Sequence, residues 1–334
     1  MAASKENPIY SAYVVSGTTK YNITSCLEEI RFSDQKSQFA KSATLNLSNV
    51  RVNGTWLNAV LKNRDRIFIY ADDGETSGEV WRGFIWDVGY KSSINTRLIV
   101  LKCYDNLIYC QESEESLFFA SGKDTKSVMT EICNKWGIIL EWYYSSITHS
   151  KLALRGALSD IITADILDLV KDRTGKKYVV LSEKDVMKVE EVGQNEKIYK
   201  ITAGNNSITT ETTSTMEGMV TKVVILGKED KSDRRPVEAT VNGDTATYGT
   251  LQKLINRDEN TSLADAKKEG ESILKESGKP KVEYRVECPD IPWIRKGDKV
   301  YVSAGNMVGY FIAVGIDRDI NNKRKTMSLT MEDI

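Results

Sequence analysis

Near its two ends the chain spells the same series of strands twice. Asp65-Arg-Ile-Phe-Ile, Gly83-Phe-Ile-Trp-Asp-Val and Arg97-Leu-Ile-Val-Leu-Lys-Cys-Tyr-Asp are echoed, in order, by Asp298-Lys-Val-Tyr-Val, Phe311-Ile-Ala-Val-Gly-Ile and Lys325-Thr-Met-Ser-Leu-Thr-Met-Glu-Asp. Setting Asp105 on Asp333 places Val88 on Ile316 and Phe84 on Ile312 without a gap. Only the preceding hairpin differs, being shorter in the second copy. Runs of β-branched and aromatic residues of this length suit half-buried strands. A duplicated meander restricts the chain to a β-rich architecture built twice, with two similar barrels in one polypeptide.

Between the copies the pattern changes. The first 107 residues are strand-like throughout; Ala43-Thr-Leu-Asn-Leu-Ser alternates with period two, and Asp72-Asp-Gly-Glu and Lys91-Ser-Ser-Ile-Asn-Thr supply turns. From Asp124 to Trp136, Val128, Met129, Ile132, Cys133 and Trp136 recur at helical spacing, with Gly137 as the stop. A second helix is predicted from Ser159, with Ile162, Ile166, Leu169 and Val170 on one face and Gly175 after it. Short strands follow at Tyr178-Val-Val-Leu and Val186-Met-Lys-Val, making residues 108–200 a mixed α/β module. Residues 201–334 return to strands, from Thr221-Lys-Val-Val-Ile-Leu onward. A polar and helical insertion at about 228–280 interrupts them, and its helix is predicted from a capping-box-like Ser262/Asp265 pair to Lys275. The fold class is therefore α+β and β-rich, with two barrel domains (1–107 and 201–334) separated by the mixed module.

Composition narrows function. The chain of 334 residues carries 46 basic and 47 acidic side chains, in near balance along its length: 13 against 11 in 1–107, 13 against 15 in 108–200, and 20 against 21 thereafter. Phosphate binding relies on concentrated Lys and Arg, so specific nucleic-acid binding is not expected. One histidine, His149, rules out two-histidine metal sites within the chain, and any triad would have to use it. Cys26, Cys103, Cys110, Cys133 and Cys288 show no C-x-x-C spacing and read as reduced, mostly buried thiols. No apolar run reaches the roughly 20 residues of a membrane helix, and the first residues lack a secretory apolar core. Cytoplasmic synthesis without membrane insertion is the expectation.

The motifs that could carry chemistry each have a plainer reading. Asp72-Asp73-Gly74-Glu75 lacks the order of a calcium loop and reads as an acidic hairpin tip. Ser121-Gly-Lys-Asp-Thr lacks the first glycine and the hydroxyl of a phosphate loop. Arg173-Thr-Gly-Lys-Lys177 follows a helix C-terminus, where cations complement the dipole. His149 lies in a polar connection and is expected to be exposed. Cys133 belongs to an apolar helix face. Glu114-Glu115 and Glu190-Glu191 are adjacent in sequence and, if extended, point to opposite sides. Trp56, Trp81, Trp86, Trp142 and Trp293 fall mostly in strand patterns and read as core or interface. No catalytic, cofactor-binding or metal-binding residues are assigned, and the chain is not expected to be an enzyme.

A further set of motifs runs in order across most of the chain. Asp105-Asn-Leu-Ile-Tyr, Phe119-Ala-Ser-Gly-Lys, Trp136-Gly-Ile and Arg173-Thr-Gly-Lys-Lys-Tyr come first. Glu217-Gly-Met-Val-Thr-Lys-Val-Val, Gly227-Lys-Glu-Asp-Lys, the distinctive Tyr248-Gly-Thr-Leu-Gln-Lys-Leu-Ile, Ile294-Arg-Lys-Gly-Asp-Lys-Val-Tyr-Val and Arg324-Lys-Thr-Met-Ser-Leu follow. With these the chain resembles the baseplate hub proteins of contractile phage tails and prophage tail-like particles, related to late-control D hubs. The likeness is weakest over the first ~50 residues, and Arg324-Lys325 stands where the family has a histidine before Thr-Met. The resemblance implies tail-tube-like barrels and a homotrimer that adapts a sixfold (hexameric) tail tube above to a threefold central spike below, leaving a central channel. It implies further baseplate, wedge and tape-measure partners, and a place first in the host cytoplasm and then in the virion or a tail-like bacteriocin. A cell-wall hydrolase or peptidase is the alternative that tail hubs raise, and an oligonucleotide-binding barrel is a third.

Overall fold

The structure is a computed structural model that describes residues 7–93, 97–228, 235–257 and 262–334. The turn residues Ile94-Asn95-Thr96 and part of Gly227-Lys-Glu-Asp-Lys therefore lie outside the described residues. The chain divides into two compact units, one of residues 1–211 and 284–334 and the other of Thr212–Glu283.

The larger unit begins with β1 (Ile9–Ser16), β2 (Thr19–Asn22), β3 (Leu27–Asp34), β4 (Ser42–Ser48), β5 (Arg66–Asp72), β6 (Ser77–Ser92) and β7 (Arg97–Tyr104). Alternation does what it predicts. Ala43, Leu45 and Leu47 of β4 are fully buried, as are Ile67 and Ile69 of β5 and Ile99, Leu101 and Cys103 of β7, and they join one core with Ile30 and Ile85. Each polar neighbour lies on the other face, as period two requires.

The mixed module follows: β8 (Glu114–Phe119), α1 (Thr125–Lys135), β9 (Ile139–Tyr143), β10 (Leu152–Ala157), α2 (Asp168–Thr174), β11 (Tyr178–Glu183) and β12 (Val186–Glu191). Asp124 caps α1 by accepting the Ser127 amide at 3.0 Å. The helix ends at Gly137, whose φ of +65° is the left-handed value a C-terminal stop needs. The predicted second helix is not α-helical throughout. A wider-turned π stretch occupies Ile161–Leu167 before α2. Ile162, Ile166 and Val170 are buried as expected, whereas Leu169 is 36% exposed and Leu167 takes the interior position. The altered turn moves the buried face away from a 3.6-residue spacing.

β13 (Lys200–Thr202) and β14 (Thr209–Thr215) lead to β15 (Lys222–Leu226), β16 (Val237–Asn242), β17 (Gln252–Asn256) and α3 (Leu263–Ser277). In this smaller unit β15 lies between antiparallel β16 and parallel β17, and α3 starts on the predicted Ser262 cap, which accepts the Asp265 amide at 3.1 Å. The Tyr248-Gly-Thr-Leu motif is the turn into β17. There the Thr221 hydroxyl donates to the Gly249 carbonyl at 2.7 Å and accepts the Leu251 amide at 2.8 Å.

β18 (Lys281–Pro289), β19 (Lys299–Ala304), β20 (Met307–Asn321) and β21 (Lys325–Asp333) finish the chain. The second meander, β19–β20–β21, repeats the first, β5–β6–β7, down to its irregularities. Phe84 pairs with Tyr104 and Ile85 with Cys103; after a bulge, Asp87 pairs with Lys102 and Val88 with Leu101. Adding 228 to each number gives the pairs of β20 and β21: Ile312 with Glu332, Ala313 with Met331, then a bulge, Gly315 with Thr330 and Ile316 with Leu329. The turns before β5 and β19 match as well. Asp65 and Asp298 accept the amides of Lys62 and Arg295 at 2.9 and 2.8 Å, and the next strand closes on each turn through Ile85 or Ala313. Arg64 and Gly297 hold the same position with φ of +70° and +88°. A glycine fits the second site because a Cβ there would meet the Val179 side chain at 2.7 Å.

The two copies are nevertheless not two closed barrels. The main sheet has 13 strands in the open order β14-β18-β21-β20-β3-β4-β7-β6-β5-β1-β2, with β13 and β19 attached beside β20. It passes from one copy to the other because β20 is long enough to serve both. Its first part pairs with β19, and Ile316–Asn321 pairs with Glu29–Asp34 of β3. The copies also differ at one flank, where β1 runs antiparallel to β5 but β13 runs parallel to β19. Each keeps a separate core, the second around Val286, Val300, Val302, Ala313 and Leu329.

Candidate functional site

The seam between the copies concentrates the buried polar groups of the larger unit. Arg318 on β20 has a side chain only 3% exposed; its Nε donates to Asp290 Oδ1 at 2.9 Å, and Nη2 donates to the carbonyls of Ile294 at 2.6 Å and Ile291 at 3.2 Å. Tyr10 of β1 donates to the other Asp290 oxygen at 2.5 Å. One carboxylate therefore ties the first strand of the chain to the second copy. Burial pushes the Asp290 carboxyl up, against the pull of Arg318. Alongside, Lys296 pairs with Asp34 at 2.5 Å and donates to the Gln38 carbonyl at 2.9 Å.

The mixed module docks onto the same region through the β11–β12 turn. Asp185, at φ +68°, accepts from Arg66 at 2.6 Å and Arg82 at 3.0 Å, while its carbonyl accepts from Asn106 at 2.8 Å. Arg295 bonds Glu183 and Glu190 from the second copy. Together these groups rim a cavity of about 210 Å³ whose lining includes Asp34, Lys41, Asp105, Glu183, Arg295 and Arg318. Burial raises Asp105 to about 7, although it accepts the Lys41 and Leu107 amides, and lowers Lys41 to about 8. The arrangement fixes three parts of one unit against one another; its charged side chains are used as mutual partners.

The motifs singled out in sequence are spread over the molecule and do not converge on this cavity. Asp73, at the acidic hairpin tip, is buried. It accepts the Thr76 and Glu75 amides at 2.7 and 3.0 Å and the Trp293 indole at 2.7 Å, a second tie between the copies. His149 is not exposed as expected but only 3% accessible, with Nε2 2.9 Å from the Thr125 hydroxyl. Burial lowers its pKa, assisted by Arg173. Its connection is folded under the start of α1, where the Thr125 and His149 amides bond back across it. Arg173 donates to the Thr148 carbonyl at 3.1 Å, and Lys123 pairs with Glu131. Glu115 pairs with Lys135 at 2.6 Å, whereas Glu190 and Glu191 diverge to Arg295 and Lys176. All five cysteines are buried, and Cys133 packs on Met187. Trp81 is core and Trp56 is 42% exposed, against the expectation of core or interface. Among the described residues no cluster of three or more His, Cys, Asp or Glu side chains suits a metal ion, and no helix is long and apolar enough to cross a membrane.

Sequence reasoning missed Arg318 and Asp290. The signal was present as charges inside otherwise apolar runs, Val-Gly-Ile-Asp-Arg-Asp-Ile and Cys-Pro-Asp-Ile-Pro, at the places where the second copy has no counterpart charge in the first.

Residues 30–332, nearly the whole of this duplicated scaffold, match the YQBQ-like family. The chain belongs to that family. No curated protein sequence matches it. Among solved structures, this YQBQ-like chain is similar to the 43 kDa tail protein of prophage MuSo2 from Shewanella oneidensis. That likeness has a TM-score of 0.72 at 11% identity and covers 97% of this chain and 98% of the other. It is also similar to the tail protein from Neisseria meningitidis MC58, with a TM-score of 0.69 at 12% identity, covering 97% and 96%. A third likeness is to E. coli c3393, a type VI secretion component described as structurally similar to the T4 tail proteins gp27 and gp5. It has a TM-score of 0.59 at 9% identity and covers 97% and 76%. The chain thus has a β-rich fold seen in phage tail proteins.

Proposed function

We propose that the chain is the structural baseplate hub of a contractile phage tail or of a tail-like bacteriocin. In this reading three copies form a ring between the hexameric tail tube above and the threefold central spike below. Residues 1–107 and 201–334 act as two tube-like units, 108–200 as the module between them, and about 228–280 as an inserted element. The observation that carries the reading is the internal duplication, with the same bulge and the same Asp turn at a constant offset. A threefold ring of duplicated chains presents six similar units and so meets a sixfold neighbour and a threefold one. The shared fold with the Shewanella and Neisseria tail proteins supports placement in a tail. The role is assembly and channel formation; other baseplate, wedge and tape-measure proteins would be further neighbours. The hub would assemble in the host cytoplasm before entering the particle.

The reading is tested by electron cryomicroscopy of particles produced with this chain. Three copies at the tube–spike junction, about 112 kDa in all (three times 37.5 kDa), are expected. A place elsewhere in the particle, or lysis of purified cell wall by the chain alone, would refute it. The channel wall is expected to be neutral or acidic, so that DNA does not adhere.

A further inference from the structure

The duplication leaves one strand edge covered in the second copy and bare in the first. In β20, Ile316–Asn321 pairs with β21 on one side and with β3 on the other. The residues 228 places earlier, Val88–Ser92 of β6, pair with β7 on the corresponding side. Among the described residues no strand runs along their other side. The side chains register the difference. Ile316, Arg318 and Ile320 are at most 4% exposed, whereas Tyr90, which corresponds to Arg318, is 56% exposed.

The strand that would cover this edge can be identified by the same correspondence. β3 borders β4, and β4 borders β7; in the second copy β14 borders β18, and β18 borders β21. Leu45 pairs with Leu101 as Val286 pairs with Leu329, so β4 corresponds to β18 and β3 to β14. β14 ends the strand path, reads Thr-Thr-Glu-Thr-Thr-Ser-Thr, and is largely exposed. It has strong strand propensity and neither the lysine nor the proline that keeps an edge from pairing.

We propose that β14 of a second copy of this chain adds antiparallel to β6 along Val88–Ser92, repeating between chains the contact that β3 makes with β20 inside one chain. The two edges differ, so the contact is heterologous and each chain offers one of each, as ring closure requires. The inference deepens the hub reading by naming the interface, and it rests on that reading only for the number of chains in the ring.

The test is site-directed disulfide formation in the full chain. Tyr90→Cys is combined in turn with Thr209→Cys, Glu211→Cys and Thr213→Cys, all exposed positions, and the five buried native thiols give little background. Under mild oxidation at least one double variant is expected to form intermolecular disulfides between residue 90 and β14, while the single variants do not. Hydrogen exchange at Val88–Ser92 in the unmodified protein should slow at least tenfold between dilute monomer and assembled chain. Rapid exchange there in a multimer, a link between two residues 90, or a chain that stays monomeric at its highest soluble concentration overturns the proposal. A three-copy hub seen in particles with the 90–β14 link absent would overturn the interface alone, and the hub reading would stand.

Discussion

Replacing Arg318 with Met should cost the larger unit about 4 kcal/mol, because it strands Asp290 rather than merely deleting a contact. Arg318 and Asp290 have side chains 3% and 0% exposed, so water cannot take the place of the guanidinium. Removing one member of a buried pair costs about 3–5 kcal/mol. The Ile291 and Ile294 carbonyls also lose their donor, and Tyr10 remains as the carboxylate's single strong partner. Adding Asp290→Asn removes the stranded charge, so the double variant should lose about 2 kcal/mol less than the sum of the single changes. Urea unfolding followed by circular dichroism would measure all three. The pH dependence supplies a second check. The Asp290 carboxyl already has a raised folded pKa, so its neutral form favours the native state at low pH, and that contribution is lost as pH rises through the folded value. Without Arg318 the folded value moves higher still, so the variant's deficit should shrink as the solution is acidified from neutrality. A deficit below about 1 kcal/mol at pH 7, or one that stays constant down to pH 5, would refute the reasoning.

Three other outcomes follow from the same structure. Thr125→Val removes the hydroxyl from buried His149 and should destabilise the protein by about 1–3 kcal/mol, seen as a lower urea midpoint. Asp105, raised to about 7 by burial, contributes stability that is complete below about pH 4 and lost as pH rises through about 7; Asp105→Asn should flatten the stability–pH curve across that window. Ser262→Ala removes the cap of α3 and should cost the smaller unit about 1 kcal/mol, with hydrogen exchange in α3 faster and that in β20 unchanged.

Much of the scaffold could be read from residues because its signals are local. Period-two alternation placed β4 and β5, Asp124 and Gly137 bracketed α1, and the constant spacing from Phe84 to Asp105 revealed the duplication together with the bulge inside it. What stayed hidden depends on partners far away in sequence. Nothing near Asn321 states that the end of β20 will pair with β3, nearly three hundred residues earlier. That pairing converts two expected barrels into one open sheet. His149 looked exposed because its neighbours are polar; Thr125, which satisfies it, is brought over by the fold of the connection. Leu169 was misplaced because a π turn changes the period without changing the kinds of residue that form it.

Because β20 is shared, the two copies have mechanics that independent barrels would not. Six residues of β20 lie antiparallel to β3, so a load applied along the strands strains their hydrogen bonds together, whereas a load applied across them opens the ladder one bond at a time. The seam is therefore stiff in one direction and compliant in the other. Arg318 and Asp290 sit at the middle of the stiff direction and act as a bolt against peeling from either end. A protein built this way transmits push and twist through backbone, and its weakest direction is set by the angle at which its neighbours pull.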